Sequence, residues 1–200
     1  MKKQNSVKNV KNMTLLALMT ALVAIFQCIG LIIPIGFNVG AFALVPLVVG
    51  AAMLGPLAGA WLGFAFGFVV VITGQASGFY VLGVVETVAV VLIKGIAAGL
   101  AAALIYKLIA KKNSLAAIIT ASVVCPVVNT AIFTLACYTV FFPGISEWAS
   151  GAGKDMISYV FLTLVGANFF VELGICLIFS TVADRIIKIG LKMRHDKSYI

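Results

Sequence analysis

The chain has 200 residues, of which 63% are hydrophobic and 10% charged, and its formal net charge is +8. Together with a mean hydropathy of +1.20, this composition excludes a soluble globular domain, in which about 25% of residues are charged. The basic residues flank apolar segments and form no compact patch, which argues against a nucleic-acid-binding protein. The composition therefore predicts an all-α integral membrane protein.

Six apolar segments are predicted to cross the membrane as helices, because a spanning helix needs about 20 apolar residues. They cover residues 13–33, 39–54, 56–73, 80–106, 115–142 and 156–187. The second segment is short and contains Pro46, and Gly55-Pro56 separates it from the third. The chain is thus predicted to be one membrane domain, with a cytoplasmic segment at residues 1–12, a bundle at 13–187 and a cytoplasmic tail at 188–200.

The basic residues predict the orientation. Twelve of the fourteen form three clusters, which are Lys2, Lys3, Lys8 and Lys11, then Lys107, Lys111 and Lys112, then Arg185, Lys188, Lys192, Arg194 and Lys197, and Lys154 is the exception in the breaks between them. Cytoplasmic segments carry an excess of Lys and Arg, so all three clusters are predicted to face the cytoplasm. Six crossings satisfy this rule, whereas a re-entrant second segment would break it. Both termini are then cytoplasmic, and we expect a multi-pass protein of a bacterial plasma membrane.

Few residues suit catalysis. His195, the one histidine, lies in the charged tail, which excludes a zinc-protease motif and any Ser-His or Cys-His pair within the membrane. The four cysteines lie in apolar segments without metal-ligand spacing. The chain also lacks the phosphate-binding loop G-x-x-x-x-G-K-[ST]. We therefore expect no catalytic residue, no metal and no cofactor.

Small residues at four-residue spacing predict close helix packing, because contact between membrane helices depends on fit. The third segment carries such a stripe, formed by Gly55, Gly59, Gly63 and Gly67. Ala17 and Ala21 form a shorter pair in the first segment. Internal packing explains the glycine stripe, whereas the alanine pair also suits docking of another membrane subunit.

Buried polar residues point more strongly to function, since ionisable groups inside a membrane are costly and usually functional. Lys94, Asn129 and Glu172 are predicted near mid-membrane on the fourth, fifth and sixth helices, where Lys94 and Glu172 can pair. The full predicted solute-binding set is Lys94, Asn129, Glu172, Glu86, Asn168, Gln75, Tyr80, Trp148 and Asn38. These residues predict a polar pocket that opens outward beneath the external loops. The alternative is a structural ion pair with amide bonds between helices.

Four stretches together resemble the substrate-binding S components of energy-coupling factor (ECF) transporters. They are Ala17/Ala21, Pro46 through Gly55-Pro56 into Gly59-Ala60-Trp61-Leu62-Gly63, Lys94-Gly95 with Ala98-Gly99-Leu100, and Pro126 with Asn129-Thr130. The resemblance implies that the chain binds a vitamin or related micronutrient from outside and associates with a membrane T component and two cytoplasmic ATPases. It further implies that ATP hydrolysis topples the S component in the membrane, and that Ala17 and Ala21 contact the T component.

At this point the identity of the solute is open, and two other classes of membrane protein are still possible alternatives. A buried lysine beside asparagines suits a carboxylate with amide or hydroxyl groups, as in pantothenate, whereas Phe79, Tyr80, Trp148 and Tyr159 would suit riboflavin or another aromatic vitamin. A self-contained secondary transporter or channel could use Lys94 and Glu172 as an ion relay, but the two halves of the chain show no evident inverted repeat. An assembly protein would leave the buried charges without a purpose.

Overall fold

The protein is described from a computed structural model that covers residues 2–32 and 42–195. Over these residues the fold is all-helical. The helices are α1 (Lys2–Ile32), α2 (Leu44–Leu54), α3 (Pro56–Ile72), α4 (Val84–Ile109), α5 (Ser114–Tyr138), α6 (Phe142–Gly151), α7 (Met156–Ser158) and α8 (Ala167–His195). A 3-10 helix at Ser77–Leu82 precedes α4, and a π-helix at Tyr159–Gly166 joins α7 to α8.

Four helical stretches in the described residues are long and apolar enough to cross a membrane. They are Asn9–Ile29, Val84–Ile109, Ser114–Tyr138 and Met156–Ile189. The apolar helices α2 and α3 have 11 and 17 residues. At a rise of 1.5 Å per residue they are only about 16 and 26 Å long, against a hydrocarbon core of about 30 Å. The fold is therefore that of a helical membrane protein, and six crossings stay a prediction.

Several helix boundaries differ from the predicted ones. The first helix begins at Lys2 and not at residue 13, so residues 2–12 of the predicted cytoplasmic segment are helical and continuous with α1. The fourth predicted helix begins at Val84 and not at residue 80, because Gly83 has a φ of +140° and interrupts the helical backbone. Residues 143–155, predicted to form an external loop between the fifth and sixth segments, lie largely in α6, which has Pro143 in its first turn, where the missing N–H costs nothing. Residue 39, the predicted start of the second helix, lies outside the described residues.

The short helix α2 lies at the centre of the bundle. It contacts α1, α3, α4, α5 and α8, and its Leu44 and Leu47 side chains are completely buried. Buried positions lie all around its circumference, which explains why its sequence is apolar without a polar stripe. The other helices thus surround α2, which forms the apolar centre of the bundle.

Helices α3 and α4 approach each other through glycines. Gly59 lies against the backbone carbonyl of Gly99, and Gly63 lies against that of Gly95, so neither position has room for a Cβ atom. A Cβ on Gly67 would lie 2.8 Å from the carbonyl oxygen of Val91. Three glycines of the predicted stripe therefore face α4. Gly55 instead precedes α3, with a φ of +92° and open space around it.

An ionic cluster joins α5 to α8 at the end of the bundle where α5 begins. Ser114 Oγ donates a hydrogen bond of 2.7 Å to Asp184 Oδ1, and Lys188 Nζ lies 2.6 Å from Asp184 Oδ2. Within the part of the chain that the structure describes, this is the only ion pair closer than 4.0 Å. The cluster compensates for the burial of the Asp184 carboxylate, which is 6% exposed.

Candidate functional site

A polar cavity of about 180 Å³ lies between α3, α4, α5, α8 and the 3-10 helix. Its polar lining residues are Gln75, Thr87, Lys94, Asn129, Thr130, Asn168 and Glu172. Its apolar walls include five phenylalanines, which are Phe66, Phe79, Phe133, Phe141 and Phe169. A few polar groups within an apolar, aromatic wall are typical of a binding site for a small molecule.

The two charged side chains of the cavity face different partners. Lys94 Nζ lies 5.3 Å from the centre of the Phe133 ring, a cation–π contact. The Glu172 carboxylate, 7% exposed, accepts a hydrogen bond of 3.1 Å from Asn168 Nδ2. Lys94 and Glu172 influence each other electrostatically, but they do not form the direct ion pair that the sequence allows. Lys94 therefore keeps donors that can serve an anion in the cavity.

Two amide oxygens in the cavity lack a hydrogen-bond partner. Asn129 Oδ1 and Asn168 Oδ1 are both buried and unpartnered, and Asn129 as a whole is only 4% exposed. A buried acceptor without a donor costs about 1–3 kcal/mol, so such atoms are rare unless a water or ligand satisfies them. These oxygens therefore suit a ligand that carries N–H or O–H groups.

Four aromatic rings close one end of the cavity, and we call Phe79, Phe133, Phe141 and Trp148 the aromatic cap. Phe79 lies at its centre, with ring centroids 5.4 Å from Phe133, 5.6 Å from Phe141 and 5.7 Å from Trp148. Phe79 belongs to the 3-10 helix, and Trp148 belongs to α6. Two short helices thus cover the cavity from the end at which α5 finishes.

Helix α1 reaches the cavity through a pair of glutamines. Gln27 Nε2 donates a hydrogen bond of 2.6 Å to Gln75 Oε1, and Gln75 Nε2 donates one of 3.4 Å to the Gln27 backbone carbonyl. Gln27 is 2% exposed, and Gln75 lines the cavity. The side chain that touches the cavity is therefore held by the helix that carries Ala17 and Ala21.

The structure brings five of the nine predicted binding residues to the cavity. These five are Gln75, Lys94, Asn129, Asn168 and Glu172. The other four do not line it. Glu86 is exposed in the first turn of α4, the Tyr80 hydroxyl donates to the Val71 carbonyl at 3.2 Å, and Trp148 touches Phe79 from outside. Asn38 lies outside the described residues.

Sequence reasoning missed two polar lining residues, Thr87 and Thr130, and most of the apolar wall. Helical spacing carries the signal that could have found them. Thr87, Val90 and Val91 lie seven, four and three positions before Lys94 and share its face. Val165 and Phe169 lie seven and three positions before Glu172 in the same way. The two predicted charges therefore define the lining faces of α4 and of the segment that ends in α8.

Ala17 and Ala21 lie on the outer face of α1 and are both exposed. Leu18 beside them is 55% exposed, and Trp61 of α3 donates a hydrogen bond of 3.2 Å to Thr20 of α1. The pair therefore faces away from the bundle, and internal packing does not account for it.

Comparison with protein families gives one match that covers most of the chain. The family model for the ECF transporter, substrate-specific component, matches residues 11–183. The chain belongs to this family. The match confirms the resemblance inferred from the sequence motifs. Comparisons with curated proteins and with solved structures gave no match.

Family membership assigns this ECF component to substrate-specific uptake and not to catalysis. The lining of the cavity has the character that such a component needs, since it offers a cation, a carboxylate and two unpartnered amide oxygens to one small molecule.

Proposed function

We propose that the chain binds a small anionic solute in the polar cavity and delivers it for uptake by an ECF-type transporter. The observation that carries this proposal is the pair of buried, unpartnered amide oxygens beside Lys94. Lys94 receives an anionic group of the solute, and Asn129 and Asn168 accept hydrogen bonds from its N–H or O–H groups. The Phe79 and Phe133 rings pack against its apolar part.

Pantothenate is the best candidate for the solute. It combines a carboxylate with an amide and hydroxyl groups, which complement Lys94 and the two asparagine oxygens. An aromatic vitamin such as riboflavin would depend more on the phenylalanine walls than on Lys94. Loss of affinity on replacing Lys94 therefore separates the two substrate classes.

We assign the chain the six-crossing topology, with both termini in the cytoplasm. The even number of crossings between the three basic clusters supports it. The short helix α2 fits this topology because its neighbours bury it on all sides, so it need not match the bilayer thickness alone. The aromatic cap then lies on the outer side of a bacterial plasma membrane, where a solute arrives.

The direct test is mass spectrometry of small molecules released by denaturing the detergent-purified chain, expressed without partners in rich medium. We expect one vitamin in stoichiometric amount, with pantothenate as the first candidate. A second preparation should be incubated with a vitamin panel before release. A protein that is empty in both preparations would contradict solute binding by this cavity.

The exposed alanine pair supports docking of a membrane T component, which two cytoplasmic ATPases would energise. Ala17→Trp should abolish uptake by the assembled transporter while solute affinity of the isolated chain stays unchanged, because small residues let helix backbones approach closely. Uptake of labelled solute into proteoliposomes and calorimetric titration measure the two quantities. Ala89→Trp, at another exposed alanine, is the control and should retain uptake. Equal uptake by both variants would remove Ala17 from the interface.

A further inference from the structure

Gln27 is a polar residue on the buried face of α1. Met19, Val23 and Gln27 are spaced four residues apart and are all buried against the bundle, whereas Ala17 and Ala21 lie on the exposed side of the helix. Gln27 is 2% exposed, and it does not itself line the polar cavity. Packing at this position does not require an amide, which costs free energy to bury.

Gln27 contacts Gln75 at two points. Its Nε2 atom donates a hydrogen bond of 2.6 Å to Gln75 Oε1, and its backbone carbonyl accepts one of 3.4 Å from Gln75 Nε2. A backbone carbonyl can only accept, so the Gln75 amide must turn its nitrogen toward that carbonyl and its oxygen toward the Gln27 side chain. A rotated Gln75 amide would place acceptor against acceptor and donor against donor. The two contacts together therefore fix the orientation of the Gln75 amide.

The backbone of Gln75 is fixed separately, by the end of α3. Gln75 N donates a hydrogen bond of 3.2 Å to the Val70 carbonyl, and Gly74 N donates one of 3.2 Å to the Val71 carbonyl, with Gly74 at a φ of +72°. This arrangement is the Schellman motif, which ends many α-helices. The freedom left to Gln75 lies in its side-chain torsions, and these are what the contacts with Gln27 restrain.

The Gln27 amide adds little to the stability of the bundle. Its Oε1 atom is buried and has no hydrogen-bond partner among the residues that the structure describes. An unpartnered buried acceptor costs more free energy than a hydrogen bond between membrane helices contributes on average. An apolar side chain of similar length would avoid this cost. A role in stability therefore does not account for Gln27.

We propose that Gln27 is a positioning residue for solute binding, which acts through Gln75 in the cavity lining. The inference rests on the proposed solute binding and adds to it a residue from outside the cavity. After its two contacts with Gln27, the Gln75 amide keeps one N–H and one oxygen lone pair that Gln27 does not engage. Held in one orientation, these groups complement an amide or a hydroxyl of the solute, and Gln75 need not be ordered on binding.

Gln27→Met should separate solute affinity from stability. Methionine has a similar length and no amide, so α1 should pack as before while the Gln75 side chain becomes free to rotate. Solute affinity should fall about 2- to 10-fold, the cost of ordering one side chain on binding, while the unfolding midpoint of the solute-free chain stays unchanged or rises. Calorimetric titration with pantothenate, or with the vitamin recovered from the purified chain, and thermal unfolding in detergent measure the two quantities. Unchanged affinity, or an affinity loss that accompanies a lower midpoint, would contradict the proposal.

Thr20→Val is the matched control. It removes the hydrogen bond of 3.2 Å that Trp61 Nε1 donates to Thr20, which also joins α1 to α3 but involves no residue of the cavity lining. Valine has nearly the shape of threonine, and solute affinity should stay unchanged. Equal affinity losses for Thr20→Val and Gln27→Met would show that affinity responds to any loosening of α1, and would overturn the role assigned to Gln27.

A double variant shows whether Gln27 acts through Gln75. Gln75→Met should lower affinity at least as much as Gln27→Met, because it removes the restrained amide itself. Adding Gln27→Met to Gln75→Met should cause no further loss, since the side chain that Gln27 positions is already gone. A further loss in the double variant would contradict the positioning role and leave the proposed function standing. Absence of binding by the unmodified chain would overturn both.

Discussion

Lys94→Met should weaken binding of an anionic solute by about 10- to 100-fold, because a hydrogen bond to a charged group contributes about 1.5–3 kcal/mol and 1.4 kcal/mol is a factor of ten. Methionine keeps most of the side-chain length, so the cavity should retain its shape. Calorimetric titration with pantothenate, or with the vitamin recovered from the purified chain, measures the change. Lys107→Met, at an exposed lysine near the end of α4, should leave affinity unchanged.

A double variant distinguishes recognition from charge balance. If Lys94 contacts the solute, Lys94→Met combined with Glu172→Gln should bind as weakly as the single lysine variant or more weakly. If Lys94 only balances the Glu172 charge across the cavity, the double variant should regain affinity. The second result would contradict the role assigned to Lys94, because the solute would then need no cation.

Gly63→Ala should destabilise the bundle by about 1–3 kcal/mol or more, the range for overpacking a well-filled interior. The added Cβ atom would collide with the backbone carbonyl of Gly95, which cannot change rotamer as a side chain can. Thermal unfolding in detergent should show a clearly lower midpoint. Gly174→Ala on α8 is the matched control, since a Cβ there meets nothing within 4 Å. Equal midpoints for the two variants would show that α3 and α4 can separate at little cost.

The positions of glycine and proline in the sequence predict some helix ends well and others poorly. Gly55-Pro56 correctly marks the start of α3, because proline is favoured in the first turn and the residue before it adopts a non-helical conformation. Pro143 carries the same signal for α6, but a helix of 10 residues inside a predicted loop is too short to show a strong apolar period. The 3-10 helix before α4 is missed because its apolar residues continue the pattern of the longer helix.

Helical geometry explains why Glu86 is misplaced and Thr87 overlooked. At about 100° per residue, a residue seven positions before Lys94 lies about 20° from its direction, whereas one eight positions before lies about 80° away. Thr87 therefore lines the cavity and Glu86 faces outward. The prediction gave more weight to residue type than to the angular position of each residue around the helix axis. The unpartnered oxygens of Asn129 and Asn168 had no sequence signal, because they depend on how separate helices meet.

The glycine contact between α3 and α4 also bears on how a solute can enter. Backbones that touch directly have no intervening side chains to change rotamer, so we expect these two helices to move as one rigid body. They carry Phe66, Val70, Thr87 and Lys94, which form one side of the cavity. The 3-10 helix contacts Phe141, just before α6, and Trp148 of α6 through aromatic rings, which can tilt and slide apart. Entry should therefore displace these two short helices, while the wall that carries Lys94 stays in place.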